Sequence, residues 1–204
     1  MTQIFTDKTG NVRCGWSESA PEFIDYHDNE WGFPSNDDYH LFEKLCLESF
    51  QSGLSWRTIL VKRENFRAAF KQFNFHEVAL FTTLDVARLL QDKGIVRNRR
   101  KIEAVINNAQ RACELIKTEG SLAQYLWGYQ PATILSVDPQ SATTSAESIA
   151  LSKDLKKRGW KFLGPTTLYA FMQSMGFFND HIEGCMTREK VTKAYSEFTH
   201  PNKK

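Results

Sequence analysis

Along most of this chain the apolar positions recur with the period of an α-helix. Leu41, Phe42, Leu45, Cys46 and Ser49 mark one stripe, and Ile59, Leu60, Phe66 and Phe70 mark another, in a helix expected to start near Ser55. Leu84 to Leu90 reads as a short helix stopped by Gly94. Ile102, Val105, Ile106, Ala109, Ala112, Cys113 and Ile116 keep the spacing of an amphipathic helix for about four turns. Thr144 followed by Glu147 has the form of a capping box, opening a helix that passes Leu151 and Leu155 and stops at Gly159. A further helix is expected from Thr166 to Met175, stopped at Gly176. No stretch of similar length alternates with period two, so the expected fold is all-α. The Pro-, Ser- and Thr-rich stretch 131–145 reads as an ordered or semi-ordered connector.

Composition narrows this picture only a little. The 204 residues suit one domain, and 41% apolar content with 15 Phe and 5 Trp is enough for a sizeable core. A net charge of +2 does not announce a nucleic-acid binder. There is no apolar run of transmembrane length, so no membrane partner is expected, and the first dozen residues lack a signal-peptide core. Four cysteines are too few for a disulfide scaffold and read as reduced thiols of a cytoplasmic protein. Cys46 and Cys113 fall on apolar stripes and read as core. Nothing points to an obligate interface, so a monomer is expected.

Three constellations carry chemistry. Cys14 and His27 near one end, with His181 and Cys185 near the other, make a Cys2His2 donor set of the kind zinc takes; the alternative is a small buried cysteine and a satisfied histidine. His181 and Cys185 have the spacing that shares one face of a helix. Four protein ligands leave no open position for water, which makes the site structural and a clip between the chain ends. His181-Ile182-Glu183 also spells the start of a zinc deaminase signature, but its P-C-x-x-C partner is absent.

Glu48 falls on the apolar face of its helix, after Leu41 and Leu45, where a carboxylate is costly unless something neutralises it. It either turns to solvent or pairs with a lysine, or it awaits a ligand bearing charge or donors. Gln51, Gly53, Leu54 and Trp56 follow closely, and Trp16, Phe23, Tyr26 and Trp31 surround His27 in sequence. Aromatic faces beside a carboxylate suit a flat, electron-poor or cationic ring. The third constellation is helix, glycine-flanked turn, helix around GWKFLGP at 159–165. It is either a plain helical corner or a helix-hairpin-helix whose amides hold a DNA phosphate.

Several of these segments also resemble one family. CGW at 14–16, YHDNEWG at 26–32, QSGLSW at 51–56, KRENFR at 62–67, LKKRGWKFLGPT at 155–166 and NDHIEGC at 179–185 closely resemble the DNA-3-methyladenine glycosylase I family. The likeness spans about residues 13–186. It implies the all-α helix-hairpin-helix DNA glycosylase fold, with a zinc site joining the N- and C-terminal segments. The hairpin would lie near 147–176, with 1–12 and 187–204 as tails. It implies excision of 3-methyladenine from alkylated double-stranded DNA. Cys14, His27, His181 and Cys185 would bind structural zinc (Zn2+). Glu48 and Tyr26 would hydrogen-bond the flipped base, Trp56 would stack on it, and Trp16 and Trp31 would line the pocket with Phe23 and Gln51 beside them. Leu54, next to Gly53, would probe or fill the gap in the duplex. The turn from Gly159 to Thr166, including Lys161 and Gly164, would hold the DNA backbone.

The chain departs from the family pattern at Phe23, where a tyrosine is common, at Phe50, where a glutamine is common, and at Asn98, where a histidine is usual. These changes bear on base preference more than on reaction class, and keep open a non-catalytic, zinc-stabilised binder of damaged DNA. A third reading is a zinc-dependent hydrolase. Thr166 stands where a bifunctional enzyme of the superfamily needs a lysine, so a monofunctional glycosylase without lyase activity is expected. Asp180, beside His181, is read as orienting a metal ligand or as catalytic. Lys156, Lys157, Arg158 and Lys161 supply a local grip on phosphate, which reconciles DNA binding with the small net charge.

Overall fold

The computed structural model describes residues 4–136 and 138–201. Two short strands, β1 (Ile4–Thr6) and β2 (Val12–Cys14), pair antiparallel with Ile4 opposite Cys14. Helices follow: α1 (Glu22–Asn29), α2 (Asp38–Gln51), α3 (Trp56–Leu60), α4 (Arg63–Ala69), α5 (Phe75–Val78), α6 (Thr83–Gln91), α7 (Arg99–Glu119), α8 (Leu122–Trp127), α9 (Ala146–Lys157), α10 (Pro165–Ser174) and α11 (Met186–Glu197). The fold is therefore mostly helical, as the periodicity implies. None of the described helices is long and apolar enough to cross a membrane.

α2 is the axis. Asp37 caps it by accepting from the His40 amide at 2.7 Å, and every residue from Leu41 to Phe50 is buried. A helix buried on all sides must be enclosed by others, and α10, α8, α7 and α3 pack against it. α7 is capped by Asn98, whose side chain accepts from the Lys101 amide at 3.2 Å, and lays its long apolar stripe over α5 and α6. Asn98 thus has a structural task of its own. Cys46 is buried in the main core and Cys113 packs at its edge.

Several local expectations change. The helix expected to begin at Ser55 does so, with Ser55 accepting from the Thr58 amide, but it breaks at Val61 and Lys62 into α3 and α4. The two halves serve different cores: Leu60 packs beside the Cys/His cluster, whereas Phe66 and Phe70 fill the main core. α6 ends at Gln91, before Gly94, because the Asp92 side chain takes the Gly94 amide at 2.7 Å. The capping box of α9 is Ser145 with Ser148, not Thr144 with Glu147.

Both expected tails carry structure. The N-terminal stretch is the β1 hairpin, whose turn is closed by the Asp7 carboxylate accepting from the Thr9 and Asn11 amides. The C-terminal stretch forms α11, which buries Thr187, Val191 and Tyr195 and packs on β2. Residues 1–3 and 202–204 of those expected tails, and Val137 of the connector, lie outside the described residues. The connector is ordered: Leu135 pairs with Asn179, and the Asn179 amide donates to Ile134 O at 2.6 Å.

Candidate functional site

The C-terminal end of α2, the start of α3 and the face of α10 enclose a cavity of about 280 Å³. Glu48 and Gln51 come from α2, Trp56 from α3, Ala170 and Gln173 from α10, and Tyr26 from α1. Trp16, from a 3-10 turn at Gly15–Ser19, Trp31, just after α1, and Gln140, from the connector, complete the wall. The aromatic rings brace one another: Trp16 meets Trp31 edge-on at 5.2 Å, and Tyr26 lies 5.4 Å from Trp56. A small concave site of mainly aromatic walls with few polar groups suits a flat ligand.

Neither pocket departure touches this space. Phe23 stands outside the lining, edge-on to Trp16 at 5.7 Å. Phe50 is fully buried in the main core, 4.6 Å from Phe66.

Glu48 is 6% exposed, so the expectation of a buried carboxylate is met. Sequence reasoning left its compensation open, and the fold supplies it from Lys44, one turn earlier on the same helix face and equally buried. Burial pushes the Glu48 carboxyl up, and the Lys44 charge and Ser174 pull it back. Burial likewise pushes the Lys44 ammonium down, opposed first by Glu48. Lys44 Nζ donates to Tyr26 Oη at 2.9 Å and lies 4.6 and 4.8 Å from the Tyr26 and Trp56 ring centroids. The Tyr26 phenol is held well above its usual range by burial and then by the Glu48 charge. The i, i+4 spacing of Lys44 and Glu48 was the available signal for this lysine. Nothing local marked Gln140 or Gln173.

The pocket opens on the α2–α3 loop. Gly53 has φ +78°, a left-handed conformation that favours glycine, and it presents Leu54 at 41% exposure. Lys101 is buried and donates to Phe50 O at 2.9 Å and Ser52 O at 2.6 Å. It satisfies carbonyls at the end of α2 and holds the loop. A second hollow links this loop, from Gln51 to Leu54, with Thr166, Thr167 and Ala170 of α10, and shares Glu48 with the pocket.

The turn between α9 and α10 is fastened from behind. Asn108 of α7 accepts from the Lys161 amide at 2.8 Å and donates to Lys161 O at 2.9 Å, and Ser152 donates to Leu163 O at 2.8 Å. Gly164 caps α10, Pro165 opens it, and a side-chain carbon added at Gly164 would meet nothing within 4 Å. Lys156, Lys157, Lys161 and Thr166 are exposed on this side. Arg158 is already committed, to Glu119 at 2.9 Å and Asp154 at 3.2 Å.

Beside the pocket, one residue further along α1, the donor atoms of Cys14, His27 and Cys185 lie within 4.8 Å of one another, all buried. His181 joins them, its ring 5.1 Å from that of His27. Among the described residues His181 Nε2 is buried without a partner, while its Nδ1 faces Asn179 Oδ1 at 3.1 Å. His27 Nδ1 meets Asp28 Oδ1 at 2.7 Å, and Arg13 joins Asp28 at 2.8 Å to Asp7 at 2.5 Å. An orphaned imidazole nitrogen beside two thiols, with both rings oriented by a second partner, fits a soft cation's ligand set. Gly32 is required here: a Cβ would stand 2.8 Å from His181 Cε1. Asp180 does not orient His181. Its Oδ2 accepts from Gln173 Nε2 at 2.7 Å and from the Gln140 amide at 3.1 Å, which places it behind the pocket wall.

Comparison with known proteins bears on the whole arrangement. The family model for methyladenine glycosylase matches residues 16–189. The chain is 49% identical over 180 residues to DNA-3-methyladenine glycosylase 1 of Escherichia coli, covering 85% of this chain and 95% of that protein. It is 45% identical to DNA-3-methyladenine glycosylase of Haemophilus influenzae, covering 85% and 96%. A solved 3-methyladenine DNA glycosylase I superposes with a TM-score of 0.81 at 46% identity, covering 85% and 98% of the two chains. The Staphylococcus aureus 3-methyladenine DNA glycosylase I, solved to explain its recognition of 3-methyladenine, superposes with a TM-score of 0.82 at 36% identity, covering 86% and 96%. With the match running from the first pocket tryptophan past the last of the clustered cysteines, the chain belongs to the methyladenine glycosylase family.

Proposed function

We propose that the chain is a monofunctional DNA glycosylase that flips 3-methyladenine out of alkylated double-stranded DNA and hydrolyses its N-glycosidic bond. The observation that carries this reading is a buried carboxylate, Glu48, in an aromatic-walled cavity of about 280 Å³ that shares Glu48 with a second hollow lined by the exposed Leu54. The cavity suits one base, and a duplex base reaches such a site only by leaving the stack, which costs a few kcal/mol and less for a damaged base. In this reading Leu54 fills the gap left behind, Trp56 stacks on the base, and Tyr26 and Glu48 bond its edge. Gln51 lines the way in.

Alkylation at N3 puts positive charge on the adenine and weakens the glycosidic bond, and the base departs neutral. No strong general acid is needed. Glu48 accepts donors of the base edge and favours the positive charge that develops at the sugar. The α9–α10 turn, with Gly164 and the exposed Lys161 and Thr166, acts as a helix-hairpin-helix that holds a phosphate at the N-terminus of α10. Thr166 at that hairpin carries no amine to attack the sugar, which supports an abasic-site product without strand cleavage.

The Cys14, His27, His181 and Cys185 set fits structural zinc. When bound, the ion clips β2 and α1 to the segment before α11 and supplies folding energy, leaving the chemistry to the pocket.

The test is incubation with N-methylated duplex DNA, followed by chromatography of released bases and gel analysis of the strand. Free 3-methyladenine with an intact, alkali-labile strand is expected. Tight binding without base release would instead favour a non-catalytic damage binder.

A further inference from the structure

Lys44 is the least expected side chain in the molecule, an amine 4% exposed with its head against two pocket aromatics. We propose that Lys44 is a positioning residue that makes the Tyr26 hydroxyl an obligate donor toward the pocket, so that the site prefers an adenine edge over a guanine edge. This deepens, and rests on, the reading of the cavity as a base site.

The argument is one of proton direction. An ammonium has three donors and no acceptor. Where Lys44 Nζ meets Tyr26 Oη at 2.9 Å, the phenol oxygen must accept, and its own hydrogen must point away from Lys44. Tyr26 is 3% exposed and lines the cavity with Glu48, and Ser174, whose own hydroxyl donates to Phe171 O, is the protein acceptor that a ligand there competes with for that hydrogen. Glu48, lacking any proton to give when ionised, is the complementary acceptor. The wall then offers a donor next to an acceptor. Adenine presents an N7 acceptor beside an N6 amine donor, whereas guanine presents two acceptors, N7 and O6. A guanine edge would leave the Glu48 carboxylate facing an oxygen, and an unmet buried group is costly.

Lys44 has a second effect through the same geometry. Its charge, faced by Glu48, Glu30 and Glu43 and opposed by Arg63, pulls back down the Glu48 carboxyl that burial raises, and so favours the ionised, accepting form. A methionine would fill this helix position at lower desolvation cost. The lysine therefore carries a burden that packing alone does not require.

The proposal is tested with free 3-methyladenine and 3-methylguanine, each titrated against the whole protein near neutral pH by tryptophan fluorescence. Wild type, Lys44→Met, Tyr26→Phe and the double variant are compared, with circular dichroism as the folding control. The preference for 3-methyladenine is expected to fall about tenfold in Lys44→Met, the scale of one hydrogen bond to a charged group. It should fall no further when Tyr26→Phe is already present, a coupling that a merely structural lysine would not produce. An unchanged preference in folded Lys44→Met, or independent effects of the two changes, overturns the proposal. Should Lys44→Met not fold, 15N-lysine NMR decides: the Lys44 ammonium signal should shift when 3-methyladenine binds wild type but not Tyr26→Phe, and equal shifts overturn the proposal. Failure of wild type to bind either base would instead remove the base-site reading beneath it.

Discussion

The pocket and the Cys/His cluster are neighbours built from the same short stretch of chain, yet they handle buried polar groups in opposite ways. In the cluster both imidazoles are oriented from outside, His27 by Asp28 and His181 by Asn179, and the donor atoms of Cys14, His27 and Cys185 lie within 4.8 Å of one another. In the pocket the charges are balanced at one remove, Lys44 against Glu48, and the polar edge faces an open cavity. The first arrangement could hold a cation. The second is complete except for a flat ligand with donors of its own. Trp31 divides them, with its ring 4.7 Å from His181 on one side and the cavity on the other. The cluster thus backs the pocket wall through Trp31.

The largest effect should come from breaking the cluster. Cys14→Ala, or removal of bound metal by a strong chelator, should lower the thermal midpoint more than any pocket substitution, with apparent losses up to about 10 kcal/mol. Thermal circular dichroism with and without chelator checks this. If chelation leaves the melting curve unmoved, the two regions do not differ as argued.

Glu48→Gln should strike activity instead. Base release is expected to fall by about two orders of magnitude or more, the scale of losing one oriented electrostatic group at a developing charge. Its stability effect has a distinct pH signature. The folded carboxyl is raised by burial from 4.5 to about 7, so its favourable contribution is present below the lower value and is lost as pH rises through the upper one. Wild type should therefore lose stability relative to Glu48→Gln between those values, as read by denaturant melts across pH. A constant difference would show that Lys44 cancels the burial cost fully.

Asp28→Asn removes the carboxylate that orients His27 and frees Arg13. Metal retention should weaken about 10- to 100-fold, measured by chelator competition, with base preference unchanged. The smallest effect belongs to Leu54→Ala. At 41% exposure it should leave the melting temperature alone and reduce excision from duplex DNA by about tenfold, sparing free-base binding.

Much of the site could be read from residue types. Glu48 stood out because a charge interrupted an apolar stripe, and the Cys2His2 set stood out by chemistry alone. Lys44 escaped notice because lysines are common on helices and only enclosure by α10, α8, α3 and α7 makes this one buried. Nothing local tells that the amine of Lys101 reaches the end of α2. Gln140 and Gln173 come from segments with no motif, and Asp180 joins them from a third. Phe23 and Phe50 looked like pocket changes, yet their side chains turn to other partners.

The division has a physical origin. Periodicity determines where helices form, because a helix face and its caps depend on residues within one or two turns. Residue chemistry determines which groups can bind a cation or a ring. The burial of the Lys44 charge that faces Glu48, the tails that became a hairpin and α11, and the connector that became a pocket wall were decided by tertiary packing. Each depends on contacts between residues far apart in the chain, whose desolvation and hydrogen bonding exist only once the core has closed.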